Sequence, residues 1–240
     1  MSNTSNFRKA ITEAKTQALI GPNVIPNALP YVGGGLILTA VGIYGGLGMI
    51  GSPAFMATFM VALVGQIILF FVAQNVAAKG NNSTALPLLA LYSLLTGYTL
   101  SGLVFVALHS QGVGPQGLAI AAAGCGITFI VARNIGSNLG EEDGLALTKT
   151  VQLGLIALLI VIVAQVLLSF FGIFTPTWLE IAISGLGVFL FAGMAVVDFY
   201  VLPRSYRDEQ YLAAALSMYL TYINLFVFIL RLLIALNGRD

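Results

Sequence analysis

One acidic residue, Asp198, lies inside an apolar run of this sequence, LFAGMAVVDFYVL. The other acidic residues lie in the polar N-terminal stretch, in connections or at the ends of apolar segments. A carboxylate within a membrane span is costly, so it is a candidate for binding protons or ions. A structural role is the alternative, in which Asp198 reaches the nearer membrane surface or pairs with Arg204 or Arg207. The first interpretation makes Asp198 the main protonation-sensitive residue of an ion pathway.

A polar stripe is the second candidate feature, and it lies in the last apolar segment. Its members, separated by four, three and seven residues, are Ser217, Thr221, Asn224 and Arg231. This spacing places them on one face of a helix, and such a face should contact protein or water rather than lipid. The stripe either forms hydrogen bonds between helices or lines a pathway, with Thr221 and Asn224 as neutral lining. We assign weaker lining roles to Ser217, Arg231 and Gln74.

Asp198 is also the candidate ligand for a metal ion, but one carboxylate is a poor calcium site. Calcium prefers about 6–8 oxygen ligands. Thr221, Asn224 and backbone carbonyls or waters would have to supply the others, so we expect any calcium binding to be weak and transient.

Other kinds of chemistry have little support in the sequence. Cys125 and His109 are its single cysteine and single histidine, which excludes an internal disulfide and argues against a zinc site. The net charge is +1, which gives no basis for binding nucleic acid. We therefore expect neither a cofactor nor enzymatic activity.

The elements that position these residues are membrane-spanning helices. The chain is 58% hydrophobic and 8% charged, which is too little charge to cover a water-exposed surface. A spanning helix needs about 20 apolar residues. Seven stretches qualify, approximately at 31–50, 54–73, 86–108, 117–135, 151–174, 179–202 and 211–236. The sequence therefore predicts an all-α integral membrane protein with seven transmembrane helices.

Prolines and charged residues define the organisation around these spans. All eight prolines are expected at helix ends or in connections, and residues 136–150 are expected to form the longest connection. Residues 1–29 form a polar N-terminal tail, and residues 30–240 form the transmembrane domain. With the N-terminus inside, eight Lys and Arg residues lie on the inner side and two on the outer side, out of ten. This bias predicts a cytoplasmic N-terminus.

The last helix resembles a known family. The stretch Ala214–Leu236, the acid in Val197-Asp198 and the phrase GYTL at 97–100 are similar to the Bax inhibitor-1 family, specifically its bacterial, YccA-like branch. The resemblance covers about residues 30–240 and is strongest over 183–236. It implies that six helices surround a central seventh helix, and that the protein is a pH-sensitive leak for calcium or other cations in a bacterial inner membrane.

The resemblance also implies roles for individual residues. In the family, acids on the sixth and seventh helices share a proton and control a pore. Asp198 matches the first acid, whereas the second falls at Thr221, which does not ionise. Gln74 stands where some relatives have an arginine that locks the pair.

A different function stays open. The bacterial branch implies a link to an FtsH-type membrane protease, so the alternative is a non-conducting regulator that binds a membrane protein. A seven-helix receptor is less favoured, because the short connections offer little surface for a ligand.

Overall fold

The computed structural model describes residues 19–237. Within that range the chain forms seven long helices and no strand, and each helix is long and apolar enough to cross a membrane. The all-α transmembrane prediction is therefore confirmed. A single 3₁₀ turn, Asp208–Gln210, precedes the last helix. The helices are α1 (Val24–Met49), α2 (Phe55–Ala78), α3 (Asn82–His109), α4 (Gly114–Asn138), α5 (Glu141–Phe170), α6 (Thr177–Ser205) and α7 (Tyr211–Asn237).

The helices extend beyond the apolar stretches that predicted them. Helix α1 begins at Val24 instead of residue 31, so Pro30 lies inside the helix rather than before it. Pro87 and Pro203 also lie inside helices, and the prediction that every proline falls at an end or in a connection was wrong. All three are within seven residues of a helix end, where few backbone hydrogen bonds are lost.

The long connection predicted at residues 136–150 is also wrong. Helix α4 continues to Asn138 and α5 begins at Glu141, so most of this segment is helical. Glu141, Glu142 and Asp143 occupy the first turn of α5, where negative charge stabilises a helix N-terminus. These turns are polar, and hydropathy alone therefore misses them. Of the predicted N-terminal tail, residues 1–18 lie outside the described part of the chain.

Helix α7 is the central element of the bundle, because it packs against α1, α2, α3, α4 and α6. Five consecutive residues, 212–216, are almost fully buried, so protein surrounds the helix at that level. The outer helices expose large apolar side chains such as Phe71, Ile130 and Ile160. Those outward faces are the surface that lies in lipid.

Glycine allows α1 and α3 to pack at very short range. A Cβ atom on Gly42 would overlap the Leu94 carbonyl of α3, and one on Gly97 would overlap the Thr39 carbonyl of α1. One turn further along, Gly46 packs against Ser101 in the same way. Gly42 and Gly46 therefore form a small-xxx-small pair through which α1 packs closely against α3.

Candidate functional site

Asp198 lies in the last two turns of α6 and faces α7. Its side chain is buried, with 2% of the residue exposed. The Ser217 hydroxyl donates to Oδ1 at 2.9 Å, and the Thr221 hydroxyl donates to Oδ2 at 2.6 Å. Both carboxylate oxygens are therefore hydrogen-bonded to two residues one turn apart on α7. We call Asp198, Ser217 and Thr221 the α6–α7 junction.

Small residues allow this junction to form. Ala213, Ala214 and Ala215 are completely buried on α7, and they keep the surface of this helix narrow where other helices approach. Because neighbouring helices approach α7 closely there, the short side chains of Ser217 and Thr221 reach Asp198 on α6. On α6, Val197 and Phe199 on either side of Asp198 are also buried, so the carboxylate is enclosed on its own helix as well.

The two nearby arginines do not neutralise Asp198. Arg204 donates from Nη1 to the Tyr200 carbonyl at 2.7 Å, and its guanidinium lies 4.1 Å from the centre of the Tyr200 ring. Among residues 19–237, the ion pair present is Arg231 with Glu180. Within the described residues, Asp198 therefore forms no ion pair with Arg204 or Arg207. The neutral hydroxyls of Ser217 and Thr221 take the place of a counter-ion.

The rest of the polar stripe does not reach Asp198. Asn224 is half-buried and donates from Nδ2 to the Leu220 carbonyl of its own helix at 2.8 Å. Arg231 donates to Glu180 Oε1 from Nε at 3.0 Å and from Nη2 at 2.6 Å. The stripe therefore divides into a part near the start of α7, at the α6–α7 junction, and a part near the end of α7 that forms an ion pair.

Glu180 is a site residue that the sequence reasoning did not single out. It lies in the first turn of α6, and Gln165 of α5 donates to its Oε2 at 3.3 Å. The sequence did hold a signal for this ion pair, because Glu180 near the start of α6 and Arg231 near the end of α7 have opposite charges. Consecutive antiparallel helices place these two positions at the same end of the bundle. Gln74 donates from Nε2 to the Tyr206 hydroxyl at 3.4 Å, whereas the donors to Asp198 in the described chain are Ser217 and Thr221.

A second buried polar cluster joins α7 to α1 and α3. The Tyr219 and Thr39 hydroxyls are 2.6 Å apart, and Thr39 also donates to the Ser93 carbonyl at 3.2 Å. All three residues are buried. Because Tyr219 lies two residues from both Ser217 and Thr221, it projects from the other side of α7. The central helix therefore forms polar contacts on two opposite sides.

The junction has the groups to hold a proton or to attract a cation, but it is not a multi-acid metal site. Within the described chain, no three His, Cys, Asp or Glu side chains lie close enough to hold a metal ion. A cation at Asp198 would depend on hydroxyls, carbonyls and water for its remaining ligands. Such a site exchanges ions more readily than a calcium buffer does.

Comparisons with known proteins give consistent results over most of the chain. A profile of the family described as inhibitor of apoptosis-promoting Bax1 matches residues 21–238. An uncharacterised membrane protein of Streptococcus pyogenes serotype M1 is 32% identical over 178 residues, which cover 71% of this chain and 72% of that protein.

Two further relatives extend the comparison. A protein of Borreliella burgdorferi is 26% identical over 245 residues, covering 93% of this chain and 96% of that protein. Bax inhibitor 1 of Schizosaccharomyces pombe is 33% identical over 73 residues, which are 30% of this chain and 27% of that protein. The similarity therefore extends from bacterial proteins to a yeast protein.

Proposed function

This chain belongs to the Bax inhibitor-1 family of polytopic membrane proteins, and on that premise we propose that it is a pH-sensitive leak for calcium or other cations. Asp198 is the main protonation-sensitive residue of the pathway. The observation that carries this proposal is a buried carboxylate whose partners among residues 19–237 are the hydroxyls of Ser217 and Thr221. The proposed pathway follows the polar side of α7.

Charge supplies the pH dependence. An ionised Asp198 attracts a cation, whereas its protonated form does not. Because no arginine or lysine within residues 19–237 pairs with Asp198, the α6–α7 junction has a net charge of −1 when Asp198 is ionised and is neutral when it is protonated. Flux should therefore be greater at pH 8 than at pH 5.

Neutral polar groups complete the proposed pathway. Thr221 and Asn224 line it beside Asp198, and Ser217, Arg231 and Gln74 contribute less. Because Arg231 is already paired with Glu180 at the outer end of α7, it opposes passing cations less than a free guanidinium would. Calcium binding at Asp198 is weak and transient, as a leak requires.

The proposed orientation has the N-terminus in the cytoplasm of a bacterial cell and the bundle in its plasma membrane. Lys79, Arg133, Lys149, Arg204 and Arg207 lie at one end of the bundle. The three connections at the other end, between α1 and α2, α3 and α4, and α5 and α6, contain no lysine or arginine. Positive residues favour the cytoplasmic side. The proposed division of the chain is a polar segment over residues 1–29, into which α1 extends, and a transmembrane domain over residues 30–240.

Flux through purified protein in liposomes tests the function. Calcium and monovalent-cation entry is measured between about pH 5 and 8 for the native chain, Asp198→Asn and Thr221→Asp. Asp198→Asn keeps the shape and removes the charge, so flux should fall and lose most of its pH dependence. Thr221→Asp places a second acid beside the first, and a new pH-dependent step should appear because the two titrations are coupled.

Asp143→Asn is the matched control, because it removes an exposed acid at the same end of the bundle and should leave flux unchanged. Unchanged flux and pH profile in folded Asp198→Asn would exclude the assigned role. If the native protein conducts no more than empty liposomes, the leak is excluded. The alternative, a non-conducting regulator of a membrane protein such as an FtsH-type protease, then takes its place.

A further inference from the structure

A cavity of about 580 Å³ opens between α1, α4 and α6 at the proposed cytoplasmic end of the bundle. Its walls combine two kinds of side chain: Arg133, Ser137 and Arg204 are polar, and Ile25, Leu29 and Phe199 are apolar. We propose that this cavity binds one anionic phospholipid, whose phosphate contacts Arg133 and Arg204 and whose acyl chain lies along the apolar wall.

The charge of the cavity selects an anion. Among the described residues, two arginines line it and no acidic residue does. Arg204 is held in place by the Tyr200 carbonyl and ring, and a guanidinium has further N–H groups for a phosphate oxygen. Arg133 is exposed and forms no ion pair within residues 19–237. Basic pockets between transmembrane helices on the cytoplasmic side suit anionic headgroups.

The apolar wall distinguishes a lipid from a free phosphate ion. Inorganic phosphate would gain nothing from the apolar wall, whereas an acyl chain covers its exposed part, chiefly Leu19 (42% exposed) and Leu29 (38% exposed). The cavity also falls within the size range of sites for small molecules, about 300–1,000 Å³. An amphiphile with a negative headgroup therefore fits the walls better than a small anion does.

The N-terminal segment of the chain is the competing occupant, since Leu19 also lines the cavity. Residues 1–18 contain Arg8, Lys9, Lys15 and one acid, Glu13. Three positive and one negative side chain give this segment a net charge of about +2, so Arg133 and Arg204 repel it. An anionic lipid is attracted by both.

The site adjoins the α6–α7 junction, because Phe199 in the cavity wall follows Asp198 in the chain. The proposal does not depend on ion conduction. A lipid here would join α1, α4 and α6 whether the protein is a leak or a regulator, so the two proposals fail independently.

Lipid retention and thermal stability of the purified full chain test the proposal. The probes are phosphatidylglycerol, phosphatidylcholine and inorganic phosphate, each added to delipidated protein in neutral detergent. Phosphatidylglycerol alone should raise the melting temperature and remain bound in native mass spectra. Arg133→Gln and Arg204→Gln should each weaken its binding about fivefold, and the double variant about 25-fold, since each arginine contributes similarly.

Lys79→Gln is the control, because it removes one positive charge at the same end of the bundle but lines a different cavity; binding should change less than about twofold. Arg133 is exposed, so its variant tests the site even if Arg204→Gln does not fold. Equal binding of phosphatidylcholine, an equal shift with inorganic phosphate, or full binding by Arg133→Gln would overturn the proposal. Binding that appears only after deletion of residues 1–18 would assign the cavity to the chain's own segment.

Discussion

Replacing Thr221 by valine should destabilise the protein through one hydrogen bond. Valine keeps the volume of the side chain and removes the hydroxyl that donates to Asp198 Oδ2 at 2.6 Å. Both residues are buried, with 3% and 2% exposed, so water does not readily replace the donor. Bonds to charged groups contribute about 1.5–3 kcal/mol, whereas bonds between membrane helices reach at most about 1.7 kcal/mol. The overlap of these ranges predicts a loss of about 1.5 kcal/mol.

The assay is the free energy of unfolding in mixed micelles with a denaturing detergent, at pH 8, for Thr221→Val in the native and Asp198→Asn backgrounds. In the second background the charge is absent, so the same substitution should cost no more than about 0.6 kcal/mol. Thr128→Val is the matched control, since the Thr128 hydroxyl bonds only to the Gly124 carbonyl of its own helix at 2.8 Å. That variant should cost less than about 0.5 kcal/mol.

Two outcomes would refute this reasoning. If Thr221→Val is as stable as the native protein, the hydroxyl does not hold the carboxylate. If the substitution costs the same amount in both backgrounds, the loss arises from packing around Thr221 rather than from its bond to Asp198. Ser217→Ala should cost less than Thr221→Val, because its bond is longer, at 2.9 Å, and Ser217 is only half-buried.

Three further predictions address packing, the ion pair of Arg231 with Glu180, and topology. Gly42→Ala should lower the free energy of unfolding by about 1–3 kcal/mol because its Cβ meets the α3 backbone, whereas Gly45→Ala faces open space and should change that free energy by less than about 0.5 kcal/mol. Similar losses in the two variants would contradict the close packing of α1 against α3. A double-mutant cycle of Arg231→Met and Glu180→Gln should give about 1 kcal/mol of coupling in unfolding experiments, and zero coupling would show that the pair does not join α6 to α7. In a Cys125→Ser background, a single cysteine is introduced at one of three exposed positions, as Pro53→Cys, Pro115→Cys or Pro176→Cys. Each cysteine should react with an impermeant thiol reagent from the outer face, and reaction only from the inner face would reject the orientation.

The number of helices could be predicted because it depends on local pattern. Seven apolar stretches of sufficient length specify seven spans, and stretches that are apolar on every side cross lipid as helices rather than as barrel strands. The spacing of Ser217 and Thr221 places their side chains one turn apart on one face of α7. That Thr221 lies beside Asp198 was expected from the family resemblance, because this contact depends on the relative depth of α6 and α7.

Other features depend on relations between distant segments. The pairing of Arg231 with Glu180 requires the relative depth of α6 and α7, and the contact between Tyr219 and Thr39 requires the crossing of α1 with α7. The start of α5 at Glu141 was missed for another reason. Its first turn is acidic and lies outside the apolar stretch, so a hydropathy criterion assigns it to a loop although the acids favour a helix start.

A threonine at position 221 has a chemical consequence for the α6–α7 junction. A hydroxyl both donates and accepts hydrogen bonds, so Thr221 can donate to an ionised Asp198 and accept from a protonated one. Two carboxylates at this distance would need a shared proton to remain together, and their titration would be coupled. With Ser217 and Thr221 as its partners, Asp198 can change protonation while the contact between the helices persists. In the proposed leak, pH therefore acts through the charge that a cation meets at one residue, and not through separation of α6 from α7.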